Sequence, residues 1–292
     1  MKNTLILIDD LYLQYGFSGV PEQNLLFLPM LKGNVVNKVL RGIRKIHLSL
    51  PAPFKKIWFA DWKKTIQNYD TVILADAGNT FNVARYIRRC YPNKRIIVWY
   101  RNSIQGTVLP TEKDRAACEI WSFDKEDCNK YGFKYNPQFY ERNSKYIEHD
   151  ETNDAFFVGQ NKGRKKILDE MKSSLEAHGY KTKFCIIGDK SDRMNYDCVL
   201  EEIARTKVIV DCQCDWQEGI TLRPLEALFY GKKLITNNVK IKEFDFYSSQ
   251  NVFVWGNDSE DKLGEFLKKP MVDVSEYREK YDLRSWVNRF YI

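Results

Sequence analysis

Between residues 155 and 255 the chain repeats one pattern: a short apolar run, a turn, an amphipathic stretch, then another short apolar run. The runs AFFVG at 155–159, FCII at 184–187, VIVDC at 208–212, LIT at 234–236 and VFVW at 252–255 have strand length and no polar alternation. Such strands are buried on both faces. Between them, Ile167, Leu168, Met171 and Leu175 recur at helical spacing within 164–177, and Val199, Leu200 and Ile203 do so within 196–205. Strands that alternate with helices across short connections predict a parallel sheet covered on both faces. Few other features restrict the fold so strongly.

The first half shows the same alternation with longer insertions. Strands are expected at 5–8, 71–75 (TVILA), 96–100 (IIVWY) and 120–123 (IWSF). A helix over about 79–90 turns Val83, Ala84 and Ile87 inward and stops before Pro92. A second helix follows at 125–131. The polar stretch DETND at 150–154 reads as the link between two α/β halves. A chain of 292 residues is long enough for each half to bury its own core. The expected domains are 1–149, 150–273 and a terminal helical stretch, 274–292, whose anchors are Tyr277, Tyr281, Trp286, Phe290 and Tyr291.

The N-terminal apolar run stops at Asp9 and Asp10, too short for a signal sequence. No run of about 18 apolar residues suggests a spanning helix. Seven cysteines, an odd number scattered through apolar contexts, read as reduced thiols of a cytoplasmic protein. Cys212 and Cys214 lack a second pair at zinc-ligand spacing, so no metal site is expected. A net charge of +7 permits phosphate, anionic lipid or nucleic acid as partner. No helix-turn-helix, zinc or RNA-binding signature accompanies it, so nucleic acid is not expected. His47, His149 and His178 show no triad spacing.

The densest punctuation lies in QEGITLRPLEALFYGKKLIT at 217–236. Pro224 suits a first helical turn and Gly231 a stop, which predicts a helix over about 222–230. Its start follows the strand at 208–212, so free N–H groups and the positive end of the helix dipole face the carboxyl edge of the sheet. That arrangement favours a phosphate. Gly219 permits close approach of a ligand to the backbone, and Glu218 and Glu226 could accept hydrogen bonds from sugar or ribose hydroxyls. Solvated acids that complement the dipole are an equally simple explanation of both.

In order, Glu218, Gly219, Glu226, Ala227, Gly231 and Ile235 resemble the donor-binding signature of GT-B glycosyltransferases of the retaining family-4 type, in which seven residues separate two glutamates. The resemblance implies two Rossmann-like domains facing across a cleft, with a C-terminal helix crossing back to the first domain. It implies that Glu218 meets the donor sugar and Glu226 the ribose. The backbone of Gly219, Ile220, Thr221 and Leu222 would meet the diphosphate. After the strand at 155–159, QNKGR matches the family's basic clamp in part. Gly159, Lys162 and Gly163 correspond, whereas Gln160 stands where an arginine is usual; Arg164 or Arg223 would supply that charge. A solvated basic helix start at Lys162, Arg164, Lys165 and Lys166 is the competing explanation, and the helix dipole disfavours it.

The resemblance covers 155–292 well and the first half only at the level of fold. It implies transfer of a sugar from a UDP-, GDP- or dTDP-linked donor to a saccharide or lipid-linked saccharide acceptor in surface polysaccharide biosynthesis, retaining and without a cofactor or metal. A nucleotide-sugar epimerase of the same fold, or a non-catalytic partner subunit that binds a nucleotide sugar or a membrane, are the alternatives. In the first half, Asp76 in the turn DAGNT could act as general base if the reaction inverts, although a turn residue paired with Gly78 is the simpler explanation. Arg101 and Asn102 are further edge candidates. Val36, Val39, Leu40, Ile43, Ile46 and Leu50 form a helical apolar stripe with basic neighbours, and KKIWFADWKK follows. Residues 36–64 thus resemble a surface that lies on an anionic membrane at its cytoplasmic face, but a stripe turned to the core is the simpler expectation.

Overall fold

A computed structural model describes residues 3–8, 24–32, 38–50, 52–76, 78–142, 152–188, 194–214 and 219–292. The chain divides into two compact units, Met1–Asn136 and Pro137–Ile292. Each is built on a parallel sheet, as the alternating pattern predicts.

The first unit contains β1 (Thr4–Leu7), β2 (Leu25–Leu28), β3 (Thr71–Ala75), β4 (Arg95–Tyr100), β5 (Glu119–Ser122) and β6 (Lys134–Tyr135), with spatial order β2-β1-β3-β4-β5-β6. Every pairing is parallel. Leu5, Leu7, Val72, Leu74, Ile96 and Val98 take alternate positions on these strands and join one core with Val83, Ala84 and Ile87 of the helix Thr80–Cys90. Two edge strands, β2 and β6, go beyond the sequence expectation. So does the helix Glu112–Ala117, which a capping box between Thr111 and Asp114 starts.

The helix α1 (Lys38–Ser49) departs from the core-facing expectation. Leu48 is buried, but the stripe Val39, Leu40, Ile43, Ile46 and Leu50 is exposed. A helix advances about 100° per residue, which places Ile43, Ile46 and Leu50 together and Leu48 on the opposite side. Amphipathic spacing shows that a face is segregated, not which way it turns. Val36 lies outside the described residues. His47 is structural: Trp58 Nε1 donates to its Nδ1 at 2.8 Å, and its Nε2 lies 2.8 Å from the Pro53 carbonyl oxygen.

The second unit contains β7 (Asn153–Gln160), β8 (Thr182–Ile187), β9 (Thr206–Asp211), β10 (Lys233–Thr236) and β11 (Val252–Val254), in the order β11-β10-β9-β7-β8, all parallel. Successive residues of one strand enter opposite cores. Phe156, Ile209 and Leu234 meet Leu200, Ile203 and Leu228, whereas Phe157, Val210 and Ile235 meet Leu168, Met171 and Phe266. This is the two-sided burial that the strand compositions require. Of the expected link at 150–154, Asp150 and Glu151 lie outside the described residues, and Asn153 and Asp154 open β7.

The terminal stretch is not one helix. Two 3-10 turns precede the helix Leu283–Arg289, whose start Asp282 caps by accepting the Ser285 N–H at 2.6 Å. Its aromatic side chains pack within the second unit. Trp286 lies against Phe139 with ring centroids 4.3 Å apart, and the Tyr140 N–H donates to the Tyr281 carbonyl at 2.9 Å.

Candidate functional site

In the second sheet β7 lies between its successor β8 and the later strand β9. Open parallel sheets bind ligands beyond the carboxyl ends of the strands at such a reversal of order. Three segments converge there: the turn after β7, the loop after β9 and the start of α8 (Leu222–Tyr230), the eighth α-helix among the described residues.

Helix α8 has both ends that its sequence predicts. Thr221 is the N-cap, accepting the Arg223 N–H at 3.3 Å, and Gly231 ends the helix in the left-handed region at φ 62°. Pro224 occupies the first turn, where its missing N–H leaves no acceptor stranded. What fixes this helix start to the sheet is Asp211, the last residue of β9 and only 3% exposed. Its carboxylate accepts from the Thr221 and Thr236 hydroxyls, each at 3.0 Å, and from Gln213 Nε2 at 3.4 Å. Burial pushes the Asp211 pKa up, against the two hydroxyl donors and the positive charges of Arg223 and Arg164. Asn237 and Gln213 add a reciprocal pair, Gln213 N to Asn237 Oδ1 at 2.7 Å and Asn237 Nδ2 to the Gln213 carbonyl at 3.0 Å.

Glu226 lies one turn into α8 and is 0% exposed. Arg223 Nη1 pairs with its Oε2, and the Tyr196 hydroxyl donates to Oε1 at 3.0 Å. Tyr196 in turn meets the Tyr140 hydroxyl at 3.0 Å. A carboxylate has about four acceptor positions. Glu226 is therefore a positioned acceptor inside a polar chain, not a solvated acid on a helix face.

On the β7 side the turn is left-handed twice, at Lys162 (φ 44°) and Gly163 (φ 82°). Lys162 is exposed. Arg164 is turned inward: its guanidinium donates to the carbonyls of Cys212, Gln160 and Asn161 and lies 5.8 Å from the Phe157 ring centroid. It thus ties the turn after β7 to the end of β9. Gly159 makes room for this packing, because a Cβ there would lie 3.1 Å from Phe157 and 3.2 Å from the Arg164 guanidinium. Gly219 and Thr221 are half-buried and Ile220 is buried. Leu222 and Arg223 are half-buried at the helix start. Glu218 lies outside the described residues.

In the first unit, β1 and β3 are neighbours on which the order reverses. Asp76 follows β3 and gathers both other edge candidates. Its Oδ1 accepts the Arg101 N–H at 3.0 Å, Asn102 Nδ2 donates to its Oδ2 at 3.2 Å, and Arg101 Nε lies 3.5 Å away. Burial raises the Asp76 pKa to about 6 against these donors. Asp76 lines a cavity of about 420 Å³ with Asn79, Arg85, Tyr100 and Asp114.

Asp211, Tyr196, Tyr140 and Asn237 are absent from the sequence-derived candidates. Asp211 carried a usable signal, a carboxylate at the ligand edge of a predicted strand. The hydroxyl partners carried none, since 3D proximity alone brings Tyr140 and Tyr196 together.

No family model and no curated sequence matches the chain. Two solved structures align over all of it. A lipopolysaccharide outer core galactosyltransferase, WaaB, has a TM-score of 0.51 at 14% identity, with 98% of that chain covered. The UDP-GlcNAc 2-epimerase from Methanocaldococcus jannaschii has a TM-score of 0.51 at 13% identity, also with 98% covered. At these identities the likeness is one of fold: two parallel-sheet α/β domains of the GT-B class.

Proposed function

We propose that this chain is a glycosyltransferase that moves a sugar from a nucleotide-diphosphate donor to a saccharide acceptor, with retention and without a metal, in the assembly of a surface polysaccharide. The observation that carries this reading is the buried Asp211–Thr221 bond, which holds the start of α8 at the strand reversal, with Glu226 one turn further on. The diphosphate lies at the backbone of 219–222, at the positive end of the helix dipole, which favours anions. Lys162 and Arg223 add positive charge where the leaving group develops negative charge, and Arg164 adds its charge through the turn it braces. Glu226 receives the ribose hydroxyls, and Glu218 orients the donor sugar. As the anomeric C–O bond breaks, its electron pair leaves with the nucleoside diphosphate, and the acceptor hydroxyl forms the new bond. With retention, the acceptor proton goes to the departing diphosphate.

Should the reaction invert instead, Asp76 is the general base that takes the acceptor proton, which it can do only when ionised. With a pKa of about 6, it is protonated below that pH and ionised above it. The expected kcat/KM therefore falls below pH 6, with an acid limb near that value. In Asp76→Asn the limb is absent and turnover is lower by about a hundredfold. A wild-type profile flat from pH 5 to 8 would remove Asp76 from this role.

The equal likeness to an epimerase supports a second reading, interconversion of a nucleotide sugar at one carbon. Incubation with UDP-, GDP- and dTDP-sugars separates the two. Release of nucleoside diphosphate that requires a saccharide acceptor supports transfer, and epimerised nucleotide sugar without acceptor replaces it.

A further inference from the structure

The charge of this chain is concentrated in one place. Of its 46 basic and 39 acidic residues, eight basic and one acidic fall within residues 38–64, leaving 38 of each sign elsewhere. The whole excess of +7 therefore belongs to a segment of 27 residues. The same segment supplies seven of the thirteen exposed large hydrophobic residues among those described. Ile43 is 49% exposed, Ile46 61% and Phe54 71%.

This apolar face is presented by a braced scaffold. Leu48 is buried in the core of the first unit, and its carbonyl accepts from Lys55 Nζ at 2.8 Å. Arg44 Nη1 donates to the Lys32 carbonyl at 2.9 Å, and Trp58 bonds His47. Phe54 sits in the left-handed region at φ 62°, where aromatic residues are rare, and its ring still points to solvent. Lys63 is held below its ordinary pKa, first by burial and then by Lys32, Lys56 and Lys64, so positive charge accumulates against a single acid, Asp61.

We infer that residues 38–64 form a docking surface for an anionic lipid bilayer, with Ile43, Ile46, Leu50 and Phe54 entering the interface and the basic side chains meeting the headgroups. Apolar residues on one helical face together with a local excess of Lys and Arg is the composition that binds such interfaces. A helix is about 10 Å across, so even its far side lies within about one Debye length of the headgroups at 0.1 M salt. A second copy of the chain would bring two faces of the same charge together, which repel. A nucleic acid would satisfy the charge but leave the apolar side chains nothing to bury against. The inference is independent of the transferase reading, since lipid binding is scored without donor or acceptor.

The test is sedimentation of the full chain with vesicles. Binding to phosphatidylglycerol–phosphatidylcholine vesicles is expected, with little to phosphatidylcholine alone, and a drop of about tenfold between roughly 0.1 and 0.5 M salt. I43S/I46S should bind about a hundredfold more weakly, taking about tenfold for each apolar side chain withheld from lipid. K45E/K56E should lose at least as much. All four residues are exposed, so the unfolding midpoint of each variant should match wild type. Equal sedimentation with both vesicle types would overturn the inference. So would I43S/I46S binding lipid like wild type, including the case in which it turns a dimer into a monomer by ultracentrifugation.

Discussion

Glu226→Ala is expected to weaken nucleoside diphosphate binding by at least a hundredfold and to lower kcat/KM by as much. Two losses combine. In the proposed complex the ribose loses a charged acceptor, worth about 1.5–3 kcal/mol. Arg223, whose guanidinium is paired with Glu226, loses the partner that aims it along the helix start. A stability cost of about 2–3 kcal/mol accompanies this, below the ~3–5 kcal/mol of a fully buried broken pair, because Arg223 is 19% exposed and can turn to water. The Tyr196 hydroxyl keeps Tyr140 as a partner. Glu226→Gln separates folding from binding. It retains the volume and an acceptor for Tyr196, so it should fold with a loss under about 1.5 kcal/mol yet still bind about tenfold more weakly. Urea unfolding with calorimetric titration of each variant reads both quantities. Glu226→Ala binding the nucleotide as wild type does would assign Glu226 to structure alone.

Asp211→Ala should be the second large effect, and should act on the helix rather than on the ligand. It strands the hydroxyls of Thr221 and Thr236 and the amide of Gln213 at a buried site. Each unsatisfied buried group costs about 1–3 kcal/mol. Rotation of the hydroxyls and release from burying a carboxylate offset part of this, leaving about 2–3 kcal/mol. Thr221 then loses its tie to β9, so nucleotide affinity is expected to fall through displacement of the helix start. The pH dependence gives a sharper check. Burial raises the folded pKa of Asp211 above its unfolded value. Its titration therefore favours the folded state below the unfolded pKa, and that contribution is lost as pH rises through the folded pKa. Asp211→Asn, fixed in an uncharged form, should accordingly gain on wild type as pH rises across that window. A constant gap in urea midpoints from pH 4 to 8 would contradict this.

The fold was legible where a residue type has one structural use. Pro224 and Gly231 bound α8 at Leu222–Tyr230, and TVILA is β3 without a residue's error. The strands β2 and β6 were not legible, because an edge strand of four or two residues carries too few positions for periodicity to show. Asp282 was equally opaque: the aromatic anchors of 275–292 are spaced as in one helix, yet a single capping carboxylate divides it. At the site, sequence spacing brings forward residues on loops and helix starts, and Asp76, Arg101 and Asn102 do meet. It does not reveal which cations turn inward. Arg164 and Lys162 look alike in QNKGR, but one braces carbonyl oxygens and the other is exposed. That distinction depends on Cys212, 48 residues away. The exposed stripe of α1 has the same origin, since spacing defines a face and only the rest of the fold decides what it meets.

Thermal unfolding with UDP, GDP, dTDP and CMP, with and without magnesium, tests most directly whether the start of α8 holds a nucleotide. One nucleoside diphosphate should raise the wild-type midpoint, with a stabilisation of about 2.7 kcal/mol at a hundred times its Kd. Magnesium should not change the shift, and Glu226→Gln should show a smaller one at the same concentration. No shift with any of the four, or a shift that Glu226→Gln retains in full, would contradict a nucleotide-sugar site at this helix.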